Sequence, residues 1–416
     1  MIKLFSRLAY ALVLTCLLFA GRPAVAADPI KIAFIGPFSG AFAPQGDAWL
    51  KMLNYALDGV NAKGGALGRK FEIVTFDDKI QPAEALIALK AVTDQNIPFV
   101  LECIGSNVAA AMIDGVAKHN ARNPDHRVLY LNCSALATEL TEEKCDFWHF
   151  RFSGNVTMRV VTMVRSLPKD LKTVYLMNQD YLYGQSVQHD VKKYLAELRP
   201  DIKIVGDELI PLGKVKDFSS YIAKIKASGA QALLTSNWGV DFNLLLKAGG
   251  EAGLDVKYFT FSAHLNGGPT AMGPAAGNRV HAILEGHDNM GADTHNAALE
   301  AWTKGFRATD PGFDYPWFNF HTMFEMLAAG VNKAGSTDPL KVALALEGME
   351  TKDMLGKPNV MRKADHQLLH PFYSAVFTKP VANDSEHTGF GWKTENEVST
   401  KDLTLPTACK MKRPAA

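Results

Sequence analysis

The feature that most constrains this chain is an alternation of strand and helix patterns that runs through it twice. "IKIAFIG" (30–36) reads as a strand, and Met52, Leu53, Ala56, Leu57 and Val60 follow at helical spacing. The turn region "NAKGGALGRK" leads to a second strand, "FEIVTFDD". Then come the helix "AEALIALKAVTDQ", the strand "IPFVLECIG", the helix "NVAAAMIDGVAKHN" and the strand "RVLYLNC". After "FWHFRFSG" (147–154) the pattern restarts with the helix "VTMRVVTMVRSL", the strand "KTVYLMNQ", the loop "DYLYG" and the helix "QSVQHDVKKYLAEL". "KIVGDELI", "AQALLTSNW" and "KYFTFSA" continue as strands, separated by the helices "FSSYIAKIKASG" and "FNLLLKAGGEAG". Such alternation predicts mostly parallel sheets with helices on both faces, here as two α/β halves of similar size. From about residue 283 a loop, "ILEGHDNMGADT", is followed by three helices and the late strand "HPFYSAVFTKP"; residues 380–416 read as polar and irregular. No low-complexity linker separates the halves, so the chain is expected to pass between them more than once.

The first 26 residues stand apart. Lys3 and Arg7 precede the apolar run "LAYALVLTCLLFA" (8–20), and "AVA" (24–26) is a small-x-small cleavage site, the parts of a secretory signal peptide. The run falls short of the ~20 apolar residues a membrane span needs. Taking Lys3, Arg7 and Arg22 from 44 basic residues leaves 41 against 43 acidic ones, a net charge of −2. Nothing in that balance attracts nucleic acid or an anionic membrane. Export permits disulfides. Cys103 and Cys133 end apolar strand-like runs and read as buried free thiols. Cys145 and Cys409 lie in charged, loop-like settings. A Cys145–Cys409 bridge is favoured over Cys133–Cys145, although sequence alone does not fix connectivity.

The motifs exclude several chemistries. The loop after the first strand, "GPFSGAFAPQG", has neither the G-x-G-x-x-G spacing of a dinucleotide site nor that of a phosphate loop. "GGALGRKF" has no Ser or Thr beside its Lys70 and reads as a turn. "HQLLH" (366–370) has two histidines at helical spacing, but Gln367 replaces the catalytic glutamate of a zinc protease, and Pro371 ends any helix. It reads as a polar segment leading into a strand. No nucleophile elbow appears, and no cofactor or metal is expected. The informative residues lie at the carboxyl ends of the strands, where open parallel sheets bind ligands. Ser106 and Asn107 begin a helix whose N–H groups and dipole favour an anion. Ser134, Ala135 and Leu136 could present N–H groups in the same way. Phe42, Tyr183 and Trp238 could wall an apolar pocket.

With these residues on the page, the chain resembles the periplasmic solute-binding proteins of branched-chain amino acid ABC importers, from about Ile30 to residue 380. The resemblance rests on "IGPFSGAFAPQGDAW", "GVNAKGGALGRKFEIVTFDD", "ATELT", "DYLYGQS", "DFSSYIAKIKASGAQALL" and "LLLKAGGEAG". It implies two Rossmann-like lobes joined by three crossovers, residues 27–151 with 284–365 and residues 152–283 with 366–405, followed by a tail at 406–416. It also implies a small-molecule solute trapped between the lobes by hinge closure and delivered to a permease. The protein would act in the periplasm, as a monomer and without catalysis. By position, Ser106, Asn107, Ser134, Ala135 and Leu136 fall where relatives hold a carboxylate. Phe42, Tyr183 and Trp238 fall at aromatic positions, and Phe318 or Phe320 closes the cup. Two departures stand out. Ser262 occupies the place of the glutamate that takes a ligand's ammonium, and Leu136 replaces a hydroxyl residue. Either Asp180 or Asp241 supplies the missing charge, or the ligand lacks an amine. Aromatic or apolar carboxylates and amides then become candidates. A periplasmic sensor on the same fold and a secreted hydrolase are the rival readings.

Overall fold

The structure, a computed structural model, describes residues 28–265 and 267–414. The expected export signal over residues 1–26 lies outside the described residues. The first sheet is wholly parallel in the order β2-β1-β3-β4-β5, from β1 (Ile30–Gly36), β2 (Phe71–Asp77), β3 (Phe99–Glu102), β4 (Leu129–Asn132) and β5 (His149–Arg151). Its interior strand β1 buries Ile32, Ala33, Phe34 and Ile35 on both faces, as a strand sandwiched between helix layers must. Helices α1 (Ala43–Ala62), α2 (Pro82–Asp94) and α3 (Ser106–Arg122) connect the strands. The apolar stripe of α1, from Trp49 through Met52, Leu53, Ala56, Leu57 and Val60, is buried as its spacing predicts.

After β5 the chain crosses into α4 (Val156–Ser166) and a second sheet, ordered β15-β14-β10-β9-β8-β6-β7. Strands β6 (Thr173–Gln179), β7 (Lys203–Ile210), β8 (Ala232–Thr235), β9 (Lys257–Thr260) and β10 (Val280–Leu284) run parallel. They are linked by α5 (Leu182–Leu198), α6 (Ser219–Ser228), α7 (Gly239–Glu251) and the short α8 (Gly268–Met272). The chain then returns through α9 (Met290–Asp293), α10 (Ala297–Thr309), α11 (Phe318–Ala334) and α12 (Pro339–Leu346). It forms a small antiparallel sheet of β11 (Glu350–Lys352), β12 (Pro358–Met361) and β13 (Leu368–Leu369). A third crossing ends in β14 (Phe372–Thr378), antiparallel to β10, and β15 (Gly391–Val398), antiparallel to β14. The molecule is therefore an α/β protein of two parallel-sheet lobes joined by three crossovers. Among the described residues no helix is long and apolar enough to cross a membrane.

Five expectations need correction. Ile283 and Leu284 complete β10 and α9 follows, where an uninterrupted loop is expected. Helix α5 begins at Leu182, inside the expected loop "DYLYG". Residues 380–416 are not wholly irregular: "GWKTENEV" forms β15, an edge strand whose exposed Lys393, Glu395 and Glu397 hide its strand character while blunting the edge. His366 and His370 are buried rather than part of a polar segment. His366 stacks on Phe150 at 3.8 Å between ring centroids, and its Nε2 lies 2.9 Å from Glu347 Oε1. Cys103 and Cys133 are not free thiols but form a disulfide with Cα atoms 4.9 Å apart. The register explains it: β3 pairs with β4 at Leu101 and Leu131, so the residues two places on emerge side by side. The Cys145–Cys409 bridge is present, with Cα atoms 5.8 Å apart, and pins the C-terminal tail against the first lobe. Arg413 adds an ion pair to Glu347.

Candidate functional site

The carboxyl ends of the two parallel sheets face one another across a cleft. A cavity lies there. From the first lobe, Cys103, Ile104, Gly105 and Ser106 carry the chain from β3 into α3, and Ser134, Ala135 and Leu136 follow β4. Trp49 reaches in from α1. The second lobe contributes Tyr181 and Tyr183 at the start of α5 and Trp238 just before α7. Phe261, Ser262 and Leu265 follow β9, and Trp317 precedes α11. Among the described residues, six lining side chains are aromatic and three are serines; none carries a charge.

The serine loops are held by their own strands. Asn132 Oδ1, at the end of β4, accepts from Ser134 N at 3.2 Å and Ala135 N at 2.8 Å. Those two amides, expected to face an anion, are thereby engaged inside the loop. Ser134 Oγ donates to Cys103 O, and Ser106 Oγ accepts from Ala137 N at 3.2 Å, so the disulfide and both hydroxyls bind the two loops into one unit. Asn319 Nδ2 donates to Cys133 O at 2.7 Å from α11. Across the cleft, Trp238 Nε1 donates to Tyr181 OH at 2.8 Å, fixing two aromatic walls against each other. Burial pushes the Tyr181 and Tyr183 phenols up, so both stay neutral donors at physiological pH.

Of the residues singled out from sequence, Ser106, Ser134, Ala135, Leu136, Tyr183, Trp238 and Ser262 come together in this lining. Six others are placed elsewhere. Phe42 packs on the far side of Trp238, with ring centroids 4.7 Å apart. Asn107 Oδ1 accepts from Leu182 N at 3.2 Å across the cleft. Asp180 is exposed and accepts from Gln185 Nε2. Phe318 and Phe320 are buried behind Trp317; the Phe320 ring lies parallel to the indole at 5.9 Å. Asp241 does not line the cavity either, because its Oδ2 accepts from Gln179 Nε2 and Gly213 N. Sequence reasoning missed Trp49, Tyr181, Phe261 and Trp317. Trp49 lies on the same helical stripe as Met52 and Leu53, which gives it the pattern of a core residue. Tyr181 lies in the expected loop "DYLYG", one residue before the helix that forms, and carries no distinguishing pattern.

Beneath Trp317 the crossovers are tied together. Arg159 Nη2 on α4 meets Glu285 Oε1 after β10 at 2.7 Å, with the two side chains 1% and 3% exposed. The guanidinium also lies over Trp317 at 5.4 Å and over Phe372 of β14 at 4.8 Å.

Two facing α/β lobes with three crossovers and an interlobe cavity are the architecture of a periplasmic binding protein. The periplasmic binding protein family model matches residues 29–380, and the chain belongs to that family. It is 30% identical over 412 residues to the Leu/Ile/Val-binding protein homolog 4 of Brucella abortus, covering 95% of each chain. It is 29% identical to the leucine-, isoleucine-, valine-, threonine- and alanine-binding protein of Pseudomonas aeruginosa, covering 82% of this chain and 88% of that one. The crystal structure of the protein of that same description from Brucella ovis, in its closed conformation, superposes with a TM-score of 0.82 at 28% identity. That match covers 93% of this chain and 100% of the other.

Proposed function

We propose that this chain is the periplasmic solute receptor of an ABC importer. It captures a small amphipathic molecule by lobe closure and hands it to a membrane permease, without catalysis. The observation that carries the reading is the interlobe cavity, walled by six aromatic side chains, floored by serine loops and, among the described residues, free of charged side chains. The apolar or aromatic body of the solute packs among Tyr181, Tyr183, Trp238 and Trp317. Its polar end meets Ser106, whose Oγ accepts from Ala137 N and keeps its own proton to donate.

The same observation narrows the solute. An ammonium group taken from water into a site without a carboxylate loses its hydration with no countercharge to offset the loss. With Ser262 in the lining, and with Asp180 and Asp241 engaged elsewhere, no acid among the described lining residues supplies that countercharge. We therefore assign the receptor to apolar or aromatic carboxylates and amides that lack an α-ammonium group. The test is a thermal-shift screen of the mature chain against such compounds and against the hydrophobic amino acids. A true ligand at a hundredfold excess over its dissociation constant stabilises the protein by about 2.7 kcal/mol. A shift confined to compounds with an α-amino group would sink the assignment.

A further inference from the structure

We infer that Phe42 is the latch that holds the cleft closed rather than a wall of the solute cavity, and that Asp241 is the positioning residue that builds its socket. This rests on the reading of the cleft as one that opens and closes. Phe42 ends a short 3-10 turn (Gly40–Phe42) after β1, on the first lobe. Its ring crosses to the second lobe and leans on Trp238 at 4.7 Å, the planes 39° apart. Two glycines also line the socket. A Cβ added at Gly239 would stand 3.3 Å from the Phe42 ring, and one at Gly213 would stand 3.4 Å from it. Both glycines have left-handed backbones, φ +60° at Gly239 and +68° at Gly213, a conformation that costs glycine alone nothing.

Asp241 joins the parts of this socket, which come from two separate loops. Its Oδ2 accepts from Gly213 N at 2.8 Å, in the loop after β7, and from Gln179 Nε2 at 2.7 Å, at the end of β6. The same Gln179 Nε2 donates to Trp238 O at 3.2 Å. One face of the Trp238 indole thus meets Phe42 while the side chain also lines the solute cavity and donates to Tyr181, another wall. A solute that settles Trp238 in place also settles the seat of the latch, so that occupancy and closure reinforce one another. Phe42 acts on the solute only through Trp238.

The test needs no solute, so its outcome is separable from that of the binding screen. Leu182 is the first residue of α5, where an N–H has no intrahelical acceptor. Its amide donates instead to Asn107 Oδ1 across the cleft, which makes its hydrogen exchange a reporter of closure. Exchange is compared in the full mature chain, in F42A and in D241A. Both variants should exchange the Leu182 amide about tenfold faster, with the amides of β1 and β6 unchanged and the F42A/D241A double variant no faster than either alone. Equal Leu182 exchange in wild type and F42A would overturn the proposal. So would an acceleration that spreads equally into β1 and β6, or independent, multiplying effects of the two substitutions.

Discussion

Replacing Asp78 by asparagine should remove a large part of the protein's alkaline sensitivity. Asp78 follows β2 and has no solvent exposure; its Oδ1 accepts from Ile80 N at 2.8 Å, while its Oδ2 has no partner. Neighbouring Asp77 adds negative charge. Burial pushes the Asp78 carboxyl up from 3.8 to about 7. A carboxyl raised on folding contributes stability that is complete below its unfolded pKa and is lost as pH rises through the folded value. Between pH 5 and pH 8 that linkage comes to about 2–3 kcal/mol for the values 3.8 and about 7. Asparagine keeps the acceptor for Ile80 N and carries no proton to lose. Urea unfolding of the mature chain and D78N, followed by circular dichroism at pH 5 and pH 8, measures the effect. Wild type should lose about 2–3 kcal/mol more than D78N over that interval. If the difference between the two proteins is the same at both pH values, the reasoning fails. The position matters for the site, because the Ile80 side chain that follows Asp78 packs on Gly105, which leads into Ser106.

Two further outcomes follow from buried or relocated charge. E285A leaves the Arg159 guanidinium buried and unpaired and should cost about 3–5 kcal/mol in urea unfolding, whereas R159M/E285L should recover most of that loss; a double variant less stable than E285A contradicts the account. S262E places a carboxylate in the cavity and should raise affinity for L-leucine about tenfold or more in calorimetry, through a charge-assisted hydrogen bond worth about 1.5–3 kcal/mol; unchanged leucine binding argues against Ser262 standing at the ammonium position.

The alternation of strands and helices was legible because each apolar run and each 3.6-residue stripe is a local pattern. So "IKIAFIG" and the α1 stripe appear where the residues place them. What was not legible depends on register or on facing surfaces. Whether Cys103 and Cys133 meet is decided by the pairing of Leu101 with Leu131, thirty residues apart in sequence, and no local pattern carries it. Strand β15 escaped because its outer face alternates charge with a few buried side chains, Trp392 and Val398 among them. In the site, the loops after β3, β4 and β9 were found because strand ends are where parallel sheets bind. Phe42 and Asn107 lie on the right loops yet contact the opposite lobe, a distinction that needs both lobes in place. Trp49 and Trp317 carry the patterns of packing residues and become cavity walls only because the lobes leave space between them.

The central claim is that this cleft takes solutes without an ammonium group. Calorimetric titration of the mature chain with L-leucine and with 4-methylpentanoate, the same carbon skeleton without the amine, tests it most directly. The account predicts that 4-methylpentanoate binds at least about tenfold more tightly, the equivalent of 1.4 kcal/mol, and that W238A abolishes the heat of binding. Tighter binding of L-leucine, or binding of neither compound, would contradict it.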